Sequence, residues 1–204
     1  MDSLIPTVNL SVMDAIYQRR AIRDYTSVMV DDATIHVLLY AAVQAPNAMH
    51  EEPWGFAVIQ DKPLLDHLSE DARTLIWHEP HRKDSAQEKR LLEIISRAEF
   101  NIFYNASTLV VIYGKQLGSF VAADCWLAAE NMMLAACGMG LGSCVIGFAV
   151  AALNTPEWKT ELEIPQDCTA YAPILLGYPA EKNTPPALRK APDVLAWRKG
   201  IITA

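Results

Sequence analysis

An α+β (mixed α/β) single domain is the fold the sequence predicts, and three observations predict it. Helical and extended patterns alternate along 204 residues, 51% of those residues are hydrophobic, and no internal repeat or low-complexity tract interrupts them. A chain of this length and apolar content can bury one sizeable core, so residues 1–204 read as one domain. Helices outnumber strands, and no pattern along the chain dictates strand order.

The first helix is expected over Ser11 to Arg20, where Val12, Met13, Ile16 and Tyr17 recur at amphipathic spacing. Asp31 or Asp32 can cap a second helix through Val37, Leu38, Ala41 and Ala42, and Pro46 ends it. A loop from Asn47 to Pro53 leads into Trp54 to Gln60, an aromatic and β-branched run bounded by Asp61-Lys62-Pro63 that reads as a strand with Trp54 in the core. From Pro63 to about Phe100 the pattern is helical but polar, with charges clustered between His78 and Arg90.

Thr108 to Tyr113 has the composition of a buried strand. Ser119 to Cys137 is a helix apolar on more than one face, which must be central or covered by a partner. Met132 to Leu153 carries no charge and is long enough on hydropathy alone to cross a bilayer. Gly138, Gly140, Gly142 and Gly147 would each weaken a spanning helix by about 1 kcal/mol relative to alanine, and flanking Lys or Arg anchors are missing. The stretch therefore reads as helix, turn and buried strand, with no membrane insertion. Ala170 to Tyr178 supplies another strand, and Asn183 to Pro192, with its prolines, reads as an extended arm leading to the last short segment.

A formal net charge of −7 argues against nucleic-acid binding, which needs an extended basic face. The first residues lack a basic stretch followed by an apolar run, so no secretory signal is read and a cytoplasmic protein is expected. Cys125, Cys137, Cys144 and Cys168 form no Cys-x-x-Cys pair and fit reduced thiols better than a metal site. His78-Glu79-Pro80-His81 has a proline between its histidines and no third ligand nearby, so it reads as a surface loop and no metal is expected. The run Gly138-Met139-Gly140-Leu141-Gly142 follows a helix where a dinucleotide fingerprint follows a strand. Ser143 lies outside a Gly-x-Ser-x-Gly elbow, and the adjacent Glu51 and Glu52 point apart unless their loop reorients them. No protein nucleophile or acid/base pair emerges.

Against that acidic background Arg19, Arg20 and Arg23 form a compact cation cluster whose planar forks suit phosphate oxygens. Arg19 and Arg20 also sit where cations complement a helix C-terminus, a structural role that explains Arg23 less well.

Collinear motifs give the cluster its context. Gln18-Arg19-Arg20-Ala21-Ile22-Arg23-Asp24-Tyr25 is followed by Gln44-Ala45-Pro46-Asn47-Ala48, Glu52-Pro53-Trp54-Gly55-Phe56 and Phe103-Tyr104-Asn105-Ala106. Then come Ala129-Glu130-Asn131-Met132-Met133-Leu134-Ala135-Ala136, Gly140-Leu141-Gly142-Ser143-Cys144 and Leu176-Gly177-Tyr178-Pro179. In this order, over roughly residues 12 to 198, the chain resembles the nitroreductase family of FMN flavoproteins.

The resemblance implies a central mixed sheet surrounded by helices in an intertwined homodimer, with residues 183–204 an arm reaching the partner and one FMN in each of two clefts formed by both subunits. It implies NADH or NADPH as electron donor and a small-molecule electron acceptor such as a nitroaromatic or quinone, with no catalytic side chain because the flavin carries the chemistry. Arg19, Arg20, Ala21 and Arg23 match positions at the flavin phosphate and ribityl chain, joined by Arg189 or Lys190. Pro46, Asn47, Ala48 and His50 match loop positions that contact the flavin of the second subunit, and Ile146 and Gly147 match the stretch facing its reactive edge. Phe103, Tyr104 and Phe148 are candidates for the acceptor side. Two departures stand out: Ala21 occupies the place of a usual small hydroxyl residue, and His50-Glu51-Glu52 replaces a more typical Asn-x-Gln, placing carboxylates where a neutral amide is common. Other members of the family dehalogenate, fragment flavin or dehydrogenate, and a flavin store with little turnover is a further reading.

Overall fold

The computed structural model describes residues 10–78, 86–97, 99–115, 118–181 and 188–199. Helices α1 (Val12–Gln18) and α2 (Asp32–Ala42) precede strand β1 (Trp54–Ile59), helices α3 (Lys62–His78) and α4 (Ala86–Ile95), and strand β2 (Thr108–Gly114). Helix α5 (Val121–Gly138), strand β3 (Gly142–Val145), short helices α6 (Val150–Leu153) and α7 (Pro156–Glu161), and strand β4 (Thr169–Gly177) complete the domain.

The helix starts are written locally. Ser11 and Asp14 form a reciprocal capping box at α1, Asp31 accepts from the Thr34 amide at α2, and Thr155 caps α7 with Pro156 in its first turn. Thr155-Pro156 is the sequence signature of such a start, although the expected elements include no helix there. The expected 63–100 helical stretch is divided into α3 and α4. His81 and the rest of 79–85 lie outside the described residues, so only His78 of that histidine pair has a place in the structure.

The sheet has strand order β1-β2-β4-β3, with every neighbouring pair antiparallel. The parallel component of the expected mixed sheet is confined, among the described residues, to a bridge between Ala21 and Ser143. Helices cover both faces. Along β2, Leu109, Val111 and Tyr113 enter one core cluster while Val110 and Ile112 enter the other, the period-two alternation of a strand buried on both sides. On β4 the register shifts opposite Ile112 and Tyr113, so Ala170 and Ala172 face opposite clusters although they are two residues apart.

The structure decides two points along these elements. The apolar set on α1 faces outward: Val12, Met13, Ile16 and Tyr17 are 48–71% exposed and Ala15 is the buried residue, because the short helix meets α5 through its small side. The buried strand expected to run toward Leu153 ends at Val145, where a 3-10 turn at 147–149 leads into α6.

Helix α5 lies against α2, α1 and the sheet. It ends in a Schellman motif, with the Gly140 amide donating to the Cys137 carbonyl at 3.0 Å and the Leu141 amide to the Ala136 carbonyl at 2.8 Å. Gly140 supplies the required left-handed residue at φ +74°. No helix among the described residues is long and apolar enough to cross a membrane.

Candidate functional site

Residues 21–26 are stitched across the ends of β3 and β4 by their backbone. The Ile22 amide donates to the Ser143 carbonyl at 3.0 Å, the Thr26 amide to the Tyr178 carbonyl at 2.8 Å, and the Ala180 amide to the Asp24 carbonyl at 3.1 Å. Two glycines permit the close approach. A Cβ on Gly142 would meet Ile22 at 2.8–3.0 Å, and one on Gly177 would meet the Tyr25 ring at 2.8 Å. Tyr25 is buried and donates its hydroxyl to the Ile22 carbonyl at 2.7 Å; burial holds that phenol far above its ordinary pKa, so it stays a donor. The glycine run that is no dinucleotide fingerprint thus serves two packing needs, a helix end and a strand crossing.

Two adjacent clefts flank this segment. One, of about 250 Å³, is lined by Arg19, Arg20, Ile22, Cys137, Gly142 and Ser143 among others; the second, of about 320 Å³, by Ala21, Ile22, Arg23, Asp24 and Glu181. Glu181 lines both. The arginines differ in what they hold. Arg20 donates to the Tyr17 and Arg19 carbonyls at 2.7 and 2.6 Å, as a cation at a helix C-terminus does, and Arg19 pairs with Glu130 at 3.4 Å. Arg23 stands over the Tyr104 ring at 5.9 Å and beside the Cys144 thiol, with no carboxylate paired to it among the described residues. Burial raises the Cys144 and Cys137 thiols against the lowering pull of the nearby arginines, so both are protonated at neutral pH.

Ser143 is 2% exposed and its hydroxyl has no partner among the described residues. With the guanidinium groups it makes a donor-rich cleft suited to an oxyanion of phosphate type.

The 46–52 loop lies elsewhere. Its Ala48 amide donates to the buried Asp124 carboxylate at 3.2–3.3 Å, and Asn47 Oδ1 accepts from the Glu52 amide at 3.0 Å. Met49, His50 and Glu52 adopt left-handed φ values of 56°, 57° and 45°. Asp124 is in the first turn of α5, whereas Cys137, beside the arginines, is near its last residue; the intervening turns separate them by roughly 20 Å. One chain therefore does not bring Pro46, Asn47, Ala48 and His50 to Arg19, Arg20 and Arg23.

The other expected residues divide similarly. Ile146 is buried with its amide donating to the Pro173 carbonyl at 2.9 Å, while the next residue, Gly147, has nothing within 4 Å of a built Cβ. Phe103 is 1% exposed inside the core, so its position gives it no surface toward an acceptor; Tyr104 and Phe148 retain some. Arg189 and Lys190 are exposed in the 188–199 segment, which holds no helix or strand, and line neither cleft; residues 183–187 and 200–204 of the expected arm lie outside the described residues. Sequence reasoning missed Asp124 and gave Ser143 no role. A carboxylate in the first turn of the apolar 119–137 run, one of two there with Glu130, was the available signal for the first; the second is visible only once β3 meets residue 21.

Comparisons with known proteins give the family and the fold. Residues 16–178 match the Nitroreductase family. A putative NADH dehydrogenase/NAD(P)H nitroreductase of Archaeoglobus fulgidus is 30% identical over 173 residues, covering 82% of this chain and 85% of that one. The 5,6-dimethylbenzimidazole synthase of Rhodospirillum rubrum is 25% identical over 201 residues, covering 91% and 89%. Among solved structures, a nitroreductase with bound FMN from Bacteroides fragilis superposes with a TM-score of 0.74 at 29% identity, over 96% of this chain and 99% of its own.

Proposed function

The chain belongs to the nitroreductase family, and from that premise we propose that it is a cytoplasmic FMN-dependent oxidoreductase that uses NADH or NADPH to reduce an electron-poor acceptor such as a nitroaromatic or quinone. The observation that carries the reading is the arginine segment, held by backbone hydrogen bonds over the β3 and β4 ends beside a cleft that Ser143 lines with a hydroxyl paired to nothing among the described residues. That donor set fits the phosphate of FMN.

Arg19, Arg20 and Arg23, with Ala21 between them, would hold the phosphate and the ribityl chain beside it. The open space at Gly147 lets a planar ring approach the backbone beside Ile146. When bound, FMN supplies hydride uptake from a nicotinamide and its return to an acceptor. The chain's own work would be to position and to set charge: guanidinium groups near the ligand would favour added negative charge, and Ile146 and Cys144, both buried, would keep water from the adjoining surface. Such a reaction needs no protein nucleophile. Tyr104 and Phe148 would border the acceptor, and Glu51 and Glu52 would disfavour anionic acceptors.

The separation of the loop from the clefts along α5 supports a homodimer in which each loop serves the partner's flavin. Apolar surface supports it too: Val12, Met13, Ile16 and Tyr17 on α1 and Trp126 and Leu127 on α5 are exposed, as are Leu188, Leu195 and Trp197 on the 188–199 segment. That segment would reach the partner and bring Arg189 or Lys190 toward the phosphate.

An anaerobic titration of the flavin-loaded protein with each nicotinamide, followed by a panel of acceptors, tests the reading. Saturable bleaching and reoxidation by nitroaromatics or quinones are expected. A yellow protein that neither nicotinamide bleaches would instead be a flavin store, and a protein that stays colourless after FMN is added would sink the proposal. Sedimentation equilibrium should report twice the chain mass.

A further inference from the structure

From the pairing of Ala21 with Ser143 we infer that Ser143 supplies the hydroxyl that Ala21 lacks, its Oγ donating to the phosphate of the bound flavin from the opposite strand. The inference rests on the flavin reading above and assigns this chain a phosphate ligand that its arginine motif does not contain.

Ala21 and Ser143 are bridge partners, and the Ile22 amide donates to the Ser143 carbonyl at 3.0 Å, so the two residues face each other across one interstrand spacing. The resemblance places a small hydroxyl residue at position 21; here that hydroxyl is missing on one strand and present on its neighbour. Ser143 is 2% exposed, lines the cleft with Arg19 and Arg20, and pairs its hydroxyl with nothing among the described residues. Tyr113 Oη is the one fully enclosed side-chain oxygen left without a partner among the described residues, so the Ser143 Oγ is open to the cleft and within reach of what enters it.

Its surroundings say which ligand it needs. Arg19 and Arg20 offer only donors, and the Gln18 carboxamide, which could accept, makes no hydrogen bond with Ser143 among the described residues, so an incoming oxyanion would supply the acceptor this O–H lacks. Glu181, the carboxylate lining the cleft, makes no hydrogen bond with it. The bond a hydroxyl donates to an ionised phosphate oxygen is stronger than one to a neutral oxygen, so its contribution is expected for a flavin that carries the phosphate.

The test compares FMN with riboflavin, which has the same ring and ribityl chain without the phosphate. Flavin is removed from the full chain, and rebinding is followed by quenching of flavin fluorescence in the wild type, Ser143→Ala, and Ala21→Ser combined with Ser143→Ala. Ser143→Ala should weaken FMN binding about tenfold while leaving riboflavin binding unchanged, and the double variant should recover most of the loss. Wild-type affinity for FMN in Ser143→Ala, or an equal loss for both flavins, would overturn the assignment with the flavin reading intact. A wild-type chain that binds no flavin overturns both. Thermal melting establishes that each variant is folded; should Ser143→Ala not be, Ser143→Cys keeps the volume with a weaker donor and is expected to lose FMN affinity in the same phosphate-specific way.

Discussion

At the C-terminal end of α5 the arginine segment is held by backbone, whereas at the N-terminal end the 46–52 loop hangs on side chains. Residues 21–26 make three interstrand hydrogen bonds and cross two glycines, so most of their placement survives a change of side chain. The loop instead rests on the Asp124 carboxylate and Asn47 Oδ1 while three non-glycine residues sit in left-handed backbone. The difference teaches where each half is vulnerable. One half breaks when its backbone is forced apart, and the other when a single anchoring side chain is removed.

The most damaging test of the first half is Gly142→Ala. The added Cβ would meet the Ile22 Cβ at 2.9 Å, which cannot swing away as the tip of a long side chain can. A loss of about 2–3 kcal/mol in denaturant unfolding is expected, together with weakened FMN binding. Unchanged stability would mean that the segment is not held at the glycine crossing.

Arg23→Ala sharpens the contrast from the other direction, because it removes a side chain and leaves that backbone intact. FMN retention should fall by about 1.5–3 kcal/mol in a binding titration, with thermal stability nearly unchanged. Unaltered flavin affinity would make Arg23 a surface residue stacked on Tyr104.

At the loop, Asp124→Ala should cost about 1–2 kcal/mol by leaving the Ala48 amide unpaired, whereas Asp124→Asn, which retains an acceptor oxygen, should cost less. Equal losses in urea unfolding would shift the explanation from the hydrogen bond to the buried charge.

The smallest effect lies outside both halves, at the cap of α2. Hydrogen bonds from the Thr34 amide and hydroxyl hold the Asp31 carboxyl below its ordinary pKa in the folded chain. A depressed folded value means a contribution present above the unfolded pKa of about 3.9 and lost as pH falls through the folded one. The melting temperature of wild type relative to Asp31→Asn should therefore narrow only on acidification below about pH 4. A gap that closes between pH 8 and 6 would rule out this cap as its source.

Much of the fold was legible because its signals are local. Trp54, Thr108 and Thr169 open strands whose apolar runs show in the text, and the caps at Ser11 and Asp31 stand immediately before their helices. The outward face of α1 was not legible, since amphipathic spacing identifies an apolar stripe without saying whether its own chain or another covers it. Phe103 and Tyr104 illustrate the same limit: adjacent aromatics look alike in sequence, yet one is enclosed by the core and the other stacks on Arg23.

Of the candidate site, the sequence by itself determined the residue types: a guanidinium cluster, a glycine-rich turn, a proline-asparagine loop and their order along the chain. Charge and backbone permissiveness belong to single residues, so they need no fold to be read. Only the tertiary structure decided which residues meet. It set Ala21 against Ser143, put Arg23 on Tyr104 rather than on an acid, and sent the loop to the far end of α5. Those choices come from strand pairing and helix length, which join residues as distant in the chain as Ala21 and Ser143 and separate others that a motif reading treats as one set.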